Sequence, residues 1–271
     1  MIQTDGLLSR EKLRDLRSLD SMKIRRRKGI CLVEGEGPLG EALRTRNLLY
    51  LIASDERITN GKISAGEQGL ADVPCYTLAH IHFRELTDVK AGIGLLGVAR
   101  IPDQGDPNGL KDYPGGSSLL YLDGVQEPGN VGALIRTAWA LGLTGVLLGK
   151  GTADPFSAKG IRASAGGVFH LPFYEGIGAP EMENLISAGF ALFIADKSGQ
   201  DYRSIKYPER SILALGNEGS GFSKWILQSG TTVGIPLAEG VDSLNVVVAG
   251  GIIAAQMVAA PGRGDAETRL R

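Results

Sequence analysis

Several features that would point directly to a function are scarce in this sequence. The net charge is −1 over 271 residues, which argues against a protein that binds nucleic acid indiscriminately but still permits a local basic surface. The two cysteines, Cys31 and Cys75, show neither metal-ligand spacing nor the density of a disulfide framework, so we expect buried thiols in a reducing compartment. The three histidines, His80, His82 and His170, also lack the spacing of metal ligands, and no metal site is predicted.

Long apolar runs are absent as well. No run reaches the roughly 18 residues that a membrane-spanning helix needs, and the N-terminus lacks the basic-then-apolar pattern of a secretory signal. We therefore expect a cytoplasmic protein that makes no membrane contact. What is present, an apolar content of 43% and a charged content of 22%, is typical of a globular protein with a substantial core.

Strand-like and helix-like segments alternate along most of the chain, which predicts an α/β fold. One segment, residues 102–117, is rich in Pro, Gly, Asp and Asn and has no apolar periodicity, so it is interpreted as a linker. The predicted organisation is a basic helical extension (1–28), a small α/β domain (29–101), the linker (102–117), a larger α/β domain (118–260) and a flexible tail (261–271).

Positive charge is concentrated near the N-terminus. Between Arg10 and Lys28 there are nine Lys or Arg residues against three acidic ones. Leucines at spacings near three and four predict an amphipathic helix over 7–22. In an arbitrary protein such a cluster is more often a solvated helix face than a binding surface.

Three glycine-containing stretches of the larger domain each begin with an apolar run and pass into a turn that carries polar side chains. We call residues 122–138 motif 1, residues 213–223 motif 2 and residues 235–249 motif 3. After the turn, motifs 1 and 3 enter a helical pattern. Because α/β proteins bind ligands beyond the carboxyl ends of their strands, these turns are candidates for one ligand site.

Each motif also has an ordinary structural interpretation. Asn130 and Ser243 fit helix N-caps, whose side-chain oxygens accept hydrogen bonds from free helix amides. Arg136, about two turns after Asn130, fits a surface arginine. The turn of motif 2 lacks both the glycine spacing of a dinucleotide site and the lysine of a P-loop, so taken alone it fits a flexible loop.

Taken together and in this order, the three motifs resemble those of the SPOUT methyltransferases, specifically the TrmH-like (SpoU) ribose 2'-O-methyltransferases of RNA. The resemblance implies an enzyme that uses S-adenosylmethionine, with a parallel sheet and a deep trefoil knot in the C-terminal domain. It also implies a homodimer through the knotted domain, which partly buries the apolar face of the last helix between subunits (Val246, Val247, Ile252, Ile253 and Met257).

The N-terminal domain carries a less specific resemblance. A basic helix followed by the sequence from Gly29 to Glu36 is similar to the start of many TrmH-like enzymes. Their N-terminal domain is similar to ribosomal protein L30e and helps bind RNA. This implies an RNA partner, and the L30e-like domain favours ribosomal RNA over transfer RNA.

The resemblance implies roles for individual residues. The catalytic set is Asn130, Arg136, Glu218, Ser243 and Asn245. The residues at or near the cofactor are Gly216, Asn217, Ile235, Leu237 and Leu244. The RNA contacts are Arg25, Arg26 and Arg27 of the basic cluster, with Lys159 and Arg162 of a segment that looks like the family's Lys-x-x-Arg-x-Ser. Since a guanidinium stays protonated in proteins, we expect Arg136 to clamp a phosphate and stabilise the reacting oxygen.

Three other functions remain as alternatives. The substrate could be transfer RNA, or the chain could be a non-catalytic RNA-binding protein that keeps the fold. A Rossmann-type oxidoreductase is disfavoured, because the dinucleotide glycine spacing and the acidic residue about 20 positions further on are missing.

Overall fold

A computed structural model describes residues 5–60, 69–87, 94–107, 109, 117–219 and 221–259. The chain forms two compact units. Unit 1 comprises Met1–Pro102 and Asp154–His170, and unit 2 comprises Asp103–Ala153 and Leu171–Arg271. The sequence predicts a single C-terminal domain over 118–260, whereas residues 154–170 group with the N-terminal unit. The predicted tail 261–271 and the linker residues 108 and 110–116 lie outside the described residues.

The elements are numbered in chain order. The helices are α1 (Arg10–Arg17), α2 (Met22–Lys28), α3 (Glu36–Arg44), α4 (Asp55–Asn60), α5 (His80–Phe83), α6 (Pro128–Ala140), α7 (Ala158–Ala163), α8 (Ala179–Ser187) and α9 (Val246–Ala259). The strands are β1 (Ile30–Glu34), β2 (Leu48–Ser54), β3 (Cys75–Leu78), β4 (Leu95–Arg100), β5 (Ser118–Asp123), β6 (Gly145–Gly149), β7 (Phe173–Ile177), β8 (Ala191–Asp201), β9 (Ser211–Gly216) and β10 (Thr231–Gly234). Across the described residues, no helix is both long enough and apolar enough to cross a lipid bilayer.

Unit 1 is built on a four-stranded mixed sheet of order β1-β4-β2-β3. Helix α1 begins at Arg10 because the Ser9 hydroxyl accepts a hydrogen bond from the Lys12 amide at 3.2 Å. Its buried face contributes Leu13 and Leu16 to the core that also contains Ile52 of β2. The segment predicted as an extension, residues 1–28, therefore supplies part of the core of unit 1. The resemblance to L30e stays a prediction.

Arginine–carboxylate ion pairs and a histidine–carboxylate contact hold the segment Asp154–His170 within unit 1. Arg25 donates to Asp154 Oδ2 through Nε at 2.9 Å and through Nη2 at 2.6 Å. Arg162 Nη1 lies 3.3 Å from Glu34 Oε2, and His170 Nε2 lies 2.7 Å from Glu41 Oε2. Asp154, Glu34 and Glu41 are buried. Because removing the partner of a buried charge is strongly destabilising, these contacts explain why the segment belongs to unit 1.

Unit 2 contains a six-stranded sheet of order β10-β8-β9-β5-β6-β7 in which every pairing is parallel. The α/β fold with a parallel sheet is thus confirmed. The central strands β5 and β6 are buried along their whole length, as expected of strands covered on both faces. From the edge strand β10 the chain returns to the centre, where α9 packs against α6 and β9. In the predicted knot, this C-terminal segment would pass through a loop of the chain. The knot itself stays a prediction.

Helix α9 is the apolar helix that the sequence places at a subunit interface. Ile253 and Met257 are 1% and 0% exposed within the single chain, so both belong to its own core. Val246, Val247 and Ile252 are half-buried, and Val248 is 50% exposed. Among the five residues predicted at the interface, the apolar surface still open is therefore carried by Val246, Val247 and Ile252.

Candidate active site

Unit 2 has a cavity of about 530 Å³ beside the carboxyl ends of β9 and β10 and residues 195–197 of β8. This size is typical of small-molecule sites. Residues of motifs 2 and 3 predicted to contact the cofactor line it (Gly216, Asn217, Ile235, Leu237 and Leu244), and so do three of the predicted catalytic residues (Glu218, Ser243 and Asn245). The structure thus brings the turns of motifs 2 and 3 together.

The turn of motif 2 is held in shape by Asn217. Its amide and carbonyl pair with Gly221 at 3.1 and 3.0 Å, and its Oδ1 accepts from the Gly219 amide at 2.8 Å. The side-chain Nδ2 donates to the Gly124 carbonyl of motif 1 at 2.8 Å. The side chain of Asn217 therefore shapes the turn and ties it to motif 1.

A buried carboxylate makes a second connection between motifs 1 and 2. Asp123, 5% exposed at the end of β5, accepts from the Ser223 amide at 2.7 Å and from the Ser223 hydroxyl at 3.0 Å. The Tyr121 hydroxyl donates to Asp123 Oδ1 at 3.2 Å. Burial, reinforced by the charge of Asp123, raises the pKa of Tyr121 well above its usual range, so the phenol remains a donor. Both ends of the motif 2 turn are thereby fixed.

Asn130 links motif 1 to the cavity in a way the sequence does not suggest. Helix α6 begins at Pro128, and Glu127 caps it by accepting from the Asn130 amide at 2.7 Å. The interpretation of Asn130 as the cap is therefore corrected. Its side chain is instead directed to motif 2, where Nδ2 donates to Glu218 Oε1 at 2.6 Å.

In motif 3 the helix begins later than predicted. Helix α9 begins at Val246, and Asn245 Oδ1 accepts from the Val247 amide at 2.8 Å. Asn245 thus takes the position at the helix start that the sequence suggests for Ser243. Ser243 and Leu244 precede the helix and remain exposed at the cavity.

Arg136 lies apart from this group. It is exposed on α6 and is not among the residues that line the cavity. Within one chain, the structure therefore groups Asn130, Glu218, Ser243 and Asn245 without Arg136.

The predicted RNA contacts divide into internal and exposed residues. Arg25 is 6% exposed and bound to Asp154, and Arg26 Nη2 lies 3.3 Å from the same carboxylate. Arg162 is paired with Glu34. In the structure these three guanidinium groups contact carboxylates inside unit 1, and their role as RNA contacts stays a prediction. Arg27 and Lys159 are exposed.

The cavity also includes residues that sequence reasoning missed. Asp196 and Lys197 of β8 line it, together with Phe222 after the motif 2 turn. The apolar run at residues 190–195 predicts a strand that ends at residue 195, and the Asp-Lys-Ser-Gly sequence that follows is typical of a polar turn. The rule that pointed to motifs 1 to 3, ligand sites beyond strand ends, applies equally here.

Known proteins share both the sequence and the fold of this chain. The SpoU rRNA methylase family matches residues 117–255. The 23S rRNA (guanosine(2553)-2'-O)-methyltransferase RlmP of Bacillus subtilis is 31% identical over 246 residues, covering 90% of this chain and 94% of RlmP.

Two solved structures extend the likeness to the whole fold. The SpoU methyltransferase AviRb of Streptomyces viridochromogenes, in complex with AdoMet, is 25% identical with a TM-score of 0.79, covering 93% of this chain and 98% of AviRb. An AdoMet-bound rRNA methyltransferase of Sinorhizobium meliloti is 26% identical with a TM-score of 0.77, covering 94% of this chain and 97% of its own. The match of motifs, sequence and fold shows that this chain belongs to the SpoU rRNA methylase family.

Proposed function

We propose that this chain transfers the methyl group of S-adenosylmethionine to the ribose 2'-oxygen of a nucleotide in ribosomal RNA. The observation that carries the proposal is the cavity at the strand ends of unit 2, with Glu218, Ser243 and Asn245 on its wall and Asn130 bonded to Glu218. The choice of ribosomal RNA is supported by the name of the relative RlmP and of the family.

The residues of the cavity fit S-adenosylmethionine. Leu215, Ile235 and Leu244 give the wall an apolar part suited to an adenosine, and the turn of motif 2 brings backbone to the cavity. At Gly216 the backbone is packed closely, since a Cβ would lie 3.1 Å from the Gly221 carbonyl oxygen and from the Phe222 ring. We propose that Gly216, Asn217, Ile235, Leu237 and Leu244 hold the cofactor.

The side chains around Glu218 suit an incoming ribose hydroxyl. When bound, S-adenosylmethionine supplies a methyl group on a positively charged sulfur, which an oxygen can attack in line. The Asn130 side chain holds Glu218 Oε1, which leaves Oε2 to accept a hydrogen bond from the 2'-hydroxyl and to take its proton when the oxygen is methylated. Ser243 and Asn245 of motif 3 orient the ribose. Most of the acceleration then comes from alignment of the reacting atoms.

Arg136 contacts the RNA rather than the cofactor in this proposal. Its exposed guanidinium, always charged, clamps the phosphate beside the target ribose and stabilises charge on the 2'-oxygen. RNA is held mainly by phosphate contacts from the exposed cations Arg27 and Lys159 of unit 1. We place the reaction in the cytoplasm.

The proposed assembly is a homodimer through the knotted unit, with the half-buried residues at the start of α9 between subunits. Light scattering should give twice the chain mass of 28.6 kDa at micromolar concentration. A mass equal to one chain would reject the dimer.

The test of the function uses the purified full chain, S-adenosylmethionine labelled in the methyl group, and unmodified ribosomal RNA transcripts. We expect label in RNA, recovered after nuclease digestion as a 2'-O-methylated nucleoside. Asn130→Ala should lower the rate by about 100-fold, because Glu218 loses its partner. Asn184→Ala, an exposed amide on α8, is the matched control and should retain the parent rate.

Three outcomes would contradict the proposal. Label found on a base would reject ribose as the acceptor. RNA that is bound but never labelled would favour the non-catalytic alternative, and labelling of transfer RNA alone would reject ribosomal RNA as the substrate.

A further inference from the structure

A second cavity, of about 430 Å³, lies next to the first in unit 2. The two share part of their walls, namely Lys197, Gly234, Ile235 and Leu237. The remaining wall of the second cavity is more polar and includes Ser198, Asp201 and Asp242. The first cavity therefore continues into a polar one.

The shared wall comes from an irregularity in the sheet. Strands β8 and β10 pair regularly up to Ile194 and Thr232, and the next pair is Gln200 with Val233. Residues 195–199 thus leave the ladder while β10 continues without a break. At Gly199 a Cβ would lie 2.4 Å from the Val233 amide nitrogen, so the strand re-enters with close backbone contact. We call residues 195–199 the β8 excursion.

The charged side chains in and just after the β8 excursion differ in their contacts. Asp196 Oδ1 accepts from the Ser198 amide at 2.8 Å and from its hydroxyl at 2.5 Å, so this carboxylate closes the turn. Asp201 is engaged by Arg203, whose hydrogen bonds hold the pKa of the carboxyl below its usual range. Lys197, between them in sequence, is exposed. Of the described residues that line either cavity, it is the one that carries a positive charge.

We infer that the second cavity receives the α-amino-acid end of the methyl donor, with Lys197 binding its α-carboxylate and Asp242 facing its α-ammonium group. The inference rests on the proposed function. An adenosine suits the apolar wall of the first cavity, whereas a zwitterionic amino acid needs one group of each charge. Lys197 and the exposed Asp242 provide that pair.

The test compares two ligands that differ at this end. S-adenosylhomocysteine carries the amino-acid group, and 5'-methylthioadenosine carries the same nucleoside and sulfur without it. Calorimetry on the parent chain should show tighter binding of S-adenosylhomocysteine. Lys197→Met should weaken S-adenosylhomocysteine by about five- to tenfold, the range for a charged hydrogen bond at a partly exposed site. The affinity for 5'-methylthioadenosine should not change.

Matched variants separate charge from structure. Lys206→Met removes an exposed lysine of unit 2 that lines neither cavity and should leave both affinities unchanged. Lys197→Arg should restore most of the lost affinity. Unchanged 5'-methylthioadenosine binding shows that the Lys197→Met variant is folded.

Each remaining outcome overturns a specific claim. If Lys197→Met weakens both ligands equally, or weakens neither, Lys197 does not bind the carboxylate. If the parent chain binds neither ligand, the proposed cofactor is rejected and the inference is rejected with it.

Discussion

Arg136 is the single residue whose replacement best separates chemistry from binding. It lies outside the cavity wall and is exposed on α6. We expect Arg136→Ala to lower single-turnover methyl transfer by about 100-fold or more, because the stabilisation of the reacting oxygen that we propose for its charge would act mainly in the transition state. Affinity for S-adenosylhomocysteine should stay unchanged, and Arg136→Lys should recover part of the rate. A parent rate for Arg136→Ala at saturating RNA would remove Arg136 from the site.

The sequence predicts which residues form the site more readily than what each of them does. Asn130 is read as a cap because its side chain is suited to that position, yet Glu127 caps the helix. Pro128 carries the missed signal, since proline is favoured at the first helical position and therefore marks the residue before it as the cap. The bond from Asn130 to Glu218 joins residues 88 positions apart, and no local pattern encodes such a contact.

At the scale of elements, the turn of motif 2 acts as one rigid piece. A Cβ at Gly216 would press on the Gly221 carbonyl and the Phe222 ring at 3.1 Å. Gly216→Val should therefore displace the turn and weaken cofactor binding by about 100-fold or more, while circular dichroism still shows a folded chain. Gly219→Ala is the matched control, because its Cβ would lie at an ordinary 3.4 Å from Asn217 Oδ1. Calorimetry showing equal affinity in both variants would contradict the proposal that the turn of motif 2 holds the cofactor.

Helix α1 provides a second test at this scale. Leu16 is 2% exposed in the core of unit 1, whereas Leu7 is 81% exposed. Leu16→Ala should lower the free energy of unfolding by about 2–5 kcal/mol, and Leu7→Ala should change it by less than about 0.5 kcal/mol. Urea unfolding measures both. Equal, small effects would restore the interpretation of residues 1–28 as an extension outside the core.

Elements that follow a hydrophobic period are predicted closely, and those set by distant pairing are not. Strand β5 and the start of α9 show this contrast. The apolar pattern predicts a strand over 118–123, where β5 is observed, and a helix from residue 243, whereas α9 begins at Val246. The sequence does not predict the β8 excursion, because its end is fixed by the pairing of Gln200 with Val233. Small and polar residues at 195–199 indicate a turn but not that the strand resumes.

For the molecule as a whole, the salt dependence of RNA affinity tests our proposal that unit 1 binds RNA and unit 2 binds the cofactor. Lys23 and Arg27 are exposed on α2, in unit 1. Replacing both by Gln should weaken RNA binding and reduce the slope of log affinity against log salt by about two. Affinity for S-adenosylhomocysteine should not change. The pair Lys206→Gln and Lys224→Gln in unit 2 serves as the control, and an equal loss there would show that the RNA effect is not specific to unit 1.

Arg25 behaves differently from these two cations. Its guanidinium neutralises the buried Asp154, so Arg25→Gln should reduce thermal stability more than RNA affinity. This separates a structural cation from binding ones inside a single basic cluster. The sequence alone does not distinguish Arg25 from the other cationic residues among the nine, because its burial depends on a carboxylate 129 positions away.

The ion pairs around Asp154–His170 also limit how this molecule can be inherited or engineered. The chain passes from one unit to the other after residues 102, 153 and 170, so neither unit corresponds to one continuous stretch of coding sequence. A gene cut at the linker would encode an N-terminal fragment that keeps Arg25 and Glu34 but lacks Asp154 and Arg162. Exchange of unit 1 between relatives therefore requires two segments to be transferred together, and recombination at a single crossover point would yield chimaeras with unmatched buried charges.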